Sequence, residues 1–222
     1  MAEGFNLIGS QFLEVGATTK DVNDFIVDGS ALLGVDDEWM YQTTLRVWTG
    51  NGYTTYGWFD ADDGTLGEMP EWNNTWLLND MSDVAAEDMD LGKGVWIVTK
   101  QAGTITVAGE VATGDTYTVD VVSGFNLIAN PFPCEIFVQD IKTDLAGVDD
   151  EWMYQTTMRL WTGNGYTTYG WFDADDGTLG EMPEWNSSWL LNDMSDLASA
   201  KLKVGEAIWL VAPTAGTVTF TK

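Results

Sequence analysis

The sequence predicts an all-β protein of two tandem homologous units, each a β-sandwich or barrel-like sheet with one short helix and one long ordered loop. Three observations predict it. A stretch of fifty residues occurs twice, from Gly34 to Asp83 and from Gly147 to Asp196, with four differences: Leu45 becomes Met158, Val47 becomes Leu160, Asn74 becomes Ser187 and Thr75 becomes Ser188. β-Branched and aromatic residues alternate with polar ones through both copies. Gly, Asn and Asp clusters punctuate them at hairpin spacing. The units are residues 1–113 and 114–222, each long enough for a core of its own.

Each unit opens with a short strand, GFNLIGSQF at the start and GFNLIANPF from Gly124 to Phe132, where Pro131 ends the run. Val22, Phe25 and Ile26 then fall at helical spacing after Thr18, Thr19 and Asp21, and Val138, Ile141 and Leu145 do likewise. One short helix per unit is expected. In DEWMYQTTLRVW, Trp39, Tyr41, Thr43, Leu45 and Val47 alternate with Met40, Gln42, Thr44 and Arg46, as in a half-buried strand. Thr49-Gly50-Asn51-Gly52 contains an Asn-Gly pair suited to a type I′ turn before GYTTYGWF, and the same hairpin recurs around Asn164-Gly165. DADDGTLGEMPEWNNTWLLNDMSD reads as a long loop pinned by Trp72, Trp76, Leu77 and Leu78. LGKGVWIVT and AGTITVAGEV make a last pair of strands, matched by VGEAIWLVA and AGTVTFTK. Between the units, Tyr117, Val119 and Val121 alternate with Thr116, Thr118 and Asp120, so this segment is a strand for which the first unit has no counterpart.

The formal charge is −26, from 35 acids against nine bases. Such a chain repels phosphate backbones and anionic lipid, which removes nucleic acid as a partner. No apolar run is long enough to insert into a bilayer, and MAEGFNLIGS lacks the basic and apolar regions of a secretory signal. An exported protein would therefore have lost its signal already. Histidine is absent, which eliminates His-dependent triads and His-ligated metals. The single Cys134 cannot close a disulfide within the chain and reads as a small buried hydrophobe.

At GFNLIANPF the chain resembles a family of repeated β-domains found in secreted and surface-attached bacterial proteins. These open with Gly-aromatic-Asn-Leu-Ile-Ala-Asn-Pro, pass through an aromatic strand near GYTTY and close with Leu-x-x-Gly-x-Gly-aromatic before a T-x-T-F end. Gly124 to Pro131, Gly165 to Tyr169 and Val204 to Trp209 match in the second unit, as do Gly4 to Ser10, Gly52 to Tyr56 and Leu91 to Trp96 in the first. The departures are Gly9-Ser10-Gln11 in place of Ala-Asn-Pro, and Glu206-Ala207 where the first unit has Lys93-Gly94. The resemblance implies an all-β, extracellular or cell-surface protein and brings no catalytic residues with it.

Four constellations could carry function. Asp60, Asp62, Asp63 and Glu68, with their twins Asp173, Asp175, Asp176 and Glu181, could gather oxygens around calcium, although their spacing departs from the EF-hand and a solvated turn is the simpler reading. Asp36-Asp37-Glu38 and Asp149-Asp150-Glu151 could supply a glycosidase carboxylate only with a partner across a cleft, and more simply face water. Twelve tryptophans invite a sugar platform, for which Trp58, Trp72 and Trp76 with Trp171, Trp185 and Trp189 flank the polar loop; core volume is the competing use. Finally, Glu87, Asp88 and Asp90 align with Ala200, Lys201 and Lys203, so an acidic patch in one unit becomes basic in the other.

The function expected from this is that of a non-enzymatic extracellular structural protein. Its partner is itself, joined head to tail into a filament, fibre or surface layer through Glu87, Asp88 and Asp90 against Lys201 and Lys203. The alternative is a carbohydrate-binding module with calcium ordering the acidic turns. No other cofactor is expected.

Overall fold

The computed structural model describes residues 1–13, 20–26, 29, 32–35, 40–60, 72–148, 153–173 and 184–222. Within them the chain is nearly all β, in several antiparallel sheets none of which closes into a barrel. The N-terminal half runs β1 (Gly4–Gly9), α1 (Val22–Phe25), β2 (Thr43–Trp48), β3 (Tyr53–Phe59), β4 (Thr75–Leu78) and β5 (Gly94–Thr99). Its sheet has the order β1-β5-β2-β3-β4. The C-terminal half runs β6 (Thr116–Val121), β7 (Gly124–Ala129), β8 (Ile136–Phe137), a 3-10 turn (Val138–Asp140), β9 (Ile141–Thr143), β10 (Thr157–Trp161), β11 (Tyr166–Phe172), β12 (Ser188–Leu191), β13 (Lys201–Leu202), β14 (Ala207–Ala212) and β15 (Gly216–Thr221). Its large sheet, β12-β11-β10-β14-β7, repeats the first order strand for strand, and β6-β15-β9 and β13-β8 form smaller sheets.

Each large sheet turns one face to a core. Thr43, Leu45 and Val47 of β2 are buried while Thr44, Arg46 and Trp48 are only partly so, the alternation expected from the sequence. Leu45, Trp58, Trp76, Val95 and Ile97 pack with Val22 and Phe25 of α1. In the other half Met158, Trp171, Trp189 and Leu210 pack with Ile141, Val218 and Phe220 of the three-stranded sheet, with Cys134 against them. The helix is short but capped, for the Asp21 carboxylate accepts from Asn23 N at 2.8 Å. Asn23 then serves the free edge of β4, accepting from Trp76 N and donating to Ala85 O. Gln139 does the same for β12, accepting from Trp189 N and donating to Trp189 O.

Several expectations are corrected. Val138, Ile141 and Leu145 do not share a helix, because Ile141–Thr143 is drawn into pairing with β15 and leaves only a 3-10 turn before it. Both hairpins form, but the turn residues are Gly50-Asn51 and Gly163-Asn164, not Asn-Gly. Thr49 and Gly52 close the ladder, and the positive φ falls on Gly50 and Gly163, both +97°, which is the type II′ pattern. Trp76, Leu77 and Leu78 lie in the edge strand β4, not in a loop. β5 and β14 do not pair with the segments that follow them, since β15 joins β6 and β9 instead. The counterpart segment, Thr104–Ala108, forms no continuous strand. Met1 stands beside Gly103 where Val121 of β6 stands beside Gly216.

Each large sheet carries one partly buried phenol, Tyr41 or Tyr154, on the face away from its main core, and Tyr56 stands within the core of the first. Tyr41 packs where a side chain at Gly57 would stand, and donates to Leu78 O at 3.2 Å. Burial, then Asp80, pushes its pKa up to about 12. Burial followed by Glu87 does the same for Tyr56, to about 12, and burial followed by Asp193 raises Tyr154. Below about pH 10 both folded and unfolded chains keep these protons; above it the unfolded chain releases them and the folded chain does not. The phenols' contribution to folding stability should therefore be constant up to about pH 10 and be lost from there to about pH 12. Urea midpoints against pH, with a phenolate absorbance titration of the folded protein, check this; a stability that holds across that window contradicts it.

Candidate functional site: an aromatic and arginine groove

The second face of each sheet is built from the partly buried positions of the same strands. Across β1, β5 and β2 the residues Leu7, Trp96 and Arg46 stand in one row, with Trp48 beside Tyr53 in the next. Across β7, β14 and β10 the row is Leu127, Trp209 and Arg159, with Trp161 beside Tyr166. These two faces meet. Leu7, Trp96, Leu127, Ala129, Ala207 and Trp209 form one buried cluster between the sheets.

Exchanging the two repeat copies converts each contact into another. Trp48 meets Trp209 edge-on at 5.2 Å and 85°, and Trp161 meets Trp96 at 5.5 Å and 84°. Ile8 bridges Glu206, and Ile128 bridges Lys93. Gly9 N donates to Gly205 O at 2.9 Å, and Ala129 N donates to Gly92 O at 2.7 Å. The exchange fails where it must. A Cβ on Gly9 would stand 2.0 Å from the Cβ of Ala129, and one on Gly94 would stand 2.9 Å from that of Ala207. The departures from the repeat motif are therefore the complementary pairs of this contact.

Where the faces diverge they leave two adjoining concavities of about 240 and 280 Å³. The first is lined by Trp48, Tyr53, Phe125, Arg159, Tyr166 and Trp209; the second by their counterparts Trp161, Tyr166, Phe5, Arg46, Tyr53 and Trp96. The Trp96 and Trp209 indoles are buried and those of Trp48 and Trp161 partly so, but Phe5, Tyr53, Phe125 and Tyr166 stay 42–52% exposed. The Trp48 indole is fixed by donating to Phe125 O at 2.7 Å. Burial raises the Tyr53 pKa, while a hydrogen bond with Trp96 works the other way.

Arg46 and Arg159 are the only arginines in a chain of 35 acids. Each sits over a phenylalanine, Arg46 5.7 Å from the centre of Phe5 and Arg159 5.6 Å from that of Phe125. Among the described residues neither makes an ion pair, and Arg46 Nε is buried with no hydrogen-bond partner. No described carboxylate lines either concavity. The groove thus offers flat rings, two phenol hydroxyls and two uncommitted guanidinium groups.

The platform expected from sequence lies elsewhere. Trp58, Trp76, Trp171 and Trp189 are at most 2% exposed and present no ring to a ligand, because their strand positions point into the two cores. Trp72 and Trp185 pack edge-on against Phe59 and Phe172. Of the acidic loops, Asp60 and Asp173 close their strands against Gly34 and Gly147, while Asp62, Asp63, Glu68, Asp175, Asp176 and Glu181 lie outside the described residues, as do Asp36-Asp37-Glu38 and Asp149-Asp150-Glu151. Among the described residues no three acidic or cysteine side chains gather as metal ligands.

Most residues of the charged patches meet partners inside their own halves; Asp90 reaches across to the other. Glu87 pairs with Lys93 at 2.7 Å and accepts from the Tyr56 hydroxyl, while Lys93 also donates to Asp88 O. Asp90 lies near the Tyr117 phenol and raises its pKa, after burial. Lys201 reaches Glu135 at 3.4 Å, and Lys203 N donates to the Glu206 carboxylate. Lys93 and Glu206 occupy matched positions, so the sign change of each patch comes with its own compensating change.

No family model matches this chain, no curated protein matches it in sequence, and no solved structure matches its fold.

Proposed function

We propose that the chain is a non-enzymatic extracellular protein of two homologous β units that binds a glycan in the groove between their sheets. The observation that carries this reading is the pair of matched concavities, each with exposed rings over an indole floor. Pyranose rings stack their C–H faces on such rings, and repeated subsites suit a ligand with repeating units. The resemblance to repeated domains of secreted bacterial proteins supports the extracellular setting. The test is retention on immobilised oligosaccharides, with Tyr53→Ala and Tyr166→Ala combined as the comparison. The wild type should be retained, and loss of the two phenol rings should weaken binding at least about tenfold with folding unchanged. A wild type that ignores every glycan overturns the reading.

A second reading is head-to-tail self-assembly, supported by the charge contrast between Glu87, Asp88 and Asp90 and the matched Ala200, Lys201 and Lys203. Lys201 and Lys203 facing Glu87, Asp88 and Asp90 of the next copy would make the polymer salt-sensitive. Sedimentation across concentration and salt, run on the same samples as the glycan test, separates the two readings.

A further inference from the structure

We infer that the glycan held in the groove is acidic, an oligouronate whose carboxylates are read by Arg46 and Arg159. The inference rests on the glycan-binding reading above and deepens it. In a chain with nearly four acids for each base, an arginine is ordinarily drawn to a neighbouring carboxylate. Among the described residues these two are not, and both stand at the same place in the matched concavities. Arg46 and Arg159 lie within cation–π range of Phe5 and Phe125, and among the described residues Arg46 Nε has no acceptor.

The required ligand follows from that chemistry. It must present an apolar face to the rings and a planar anion at its margin, and must do so twice. A uronic acid pyranose carries both features on every residue, so two linked residues supply one ring and one carboxylate to each concavity. An extended peptide would need backbone donors and acceptors along a sheet edge, whereas these walls are made of side chains. A densely sulfated glycan would bring more charge against the −26 of the whole chain than a single carboxylate per sugar does. At physiological salt the repulsion of distant acids is screened beyond about 8 Å, so the local arginines dominate over the net charge.

The experiment is calorimetric titration of the intact chain with four-residue oligogalacturonate and oligomannuronate, each beside its methyl ester, and with cello- and xylo-oligosaccharides as neutral arms. The inference expects at least one acidic oligomer to bind and its methyl ester to bind about 10- to 100-fold more weakly, the range of one to two charge-assisted contacts. Arg46→Gln and Arg159→Gln should each lower uronate affinity about tenfold and narrow the acid-to-ester ratio by a similar factor. The ester comparison uses only the wild type, so it holds even if a variant folds poorly. Equal binding of acid and ester, or binding of the neutral oligomers alone, overturns the inference while the glycan-binding reading stands. No binding in any arm overturns both.

Discussion

Replacing Trp189 with Ala should destabilise the protein by about 3–5 kcal/mol, a large part of the roughly 5–15 kcal/mol that holds a typical domain together. The side chain is fully buried, it packs on Trp171 at 5.2 Å, and its Nε1 donates to Ile141 O at 2.7 Å. Its repeat counterpart makes a sharper test. Trp76 is equally buried and packs on Trp58 at 5.1 Å, yet among the described residues its Nε1 has no partner. Phenylalanine removes similar volume at either site, but only at Trp189 does it orphan a buried carbonyl. Trp189→Phe should therefore cost about 1–3 kcal/mol more than Trp76→Phe in urea denaturation. Equal costs would mean that the Ile141 hydrogen bond contributes nothing.

The second large effect is expected at Gly9. A Cβ there would stand 2.0 Å from Ala129 Cβ and 3.3 Å from its Cα, closer than atoms can approach without movement of backbone. Gly9→Ala should cost about 1–3 kcal/mol, and Gly9→Val more, by forcing the two sheets apart. Ala129→Gly introduced with Gly9→Ala should restore most of the loss, since the methyl has only changed sides. A double-mutant cycle measures this directly. Additive costs would show that Gly9 matters for its own strand and not for the contact between sheets.

Much of the β framework was legible because each strand obeys local rules. The alternation of Leu45 and Val47 with Arg46 and Trp48 marks β2, and Tyr117, Val119 and Val121 mark β6. The turn centre was not, because Thr-Gly-Asn-Gly contains both Gly-Asn and Asn-Gly, and only the cross-strand bond from Thr49 to Gly52 chooses between them. The second helix was expected wrongly because helical spacing at Val138 and Ile141 is local, while the pairing of Ile141 with Phe220 comes from a strand almost eighty residues later. The groove was half legible. Strand parity puts Arg46 and Trp48 opposite the core-facing residues, but nothing in one repeat announces that its outer face meets the outer face of the other. The only trace was Gly9 against Ala129 and Gly94 against Ala207, differences that read as drift until the sheets are brought together.

That glycine-to-alanine fit also fixes who can sit opposite whom. If an N-terminal half met a second N-terminal half in this arrangement, Gly9 would face Gly9 across a gap the size of a methyl group; two C-terminal halves would drive Ala129 into Ala129. Only the mixed pairing fills the space without collision, so near-identical repeats are kept from choosing their own kind, and a nascent chain carrying both has one way to fold shut.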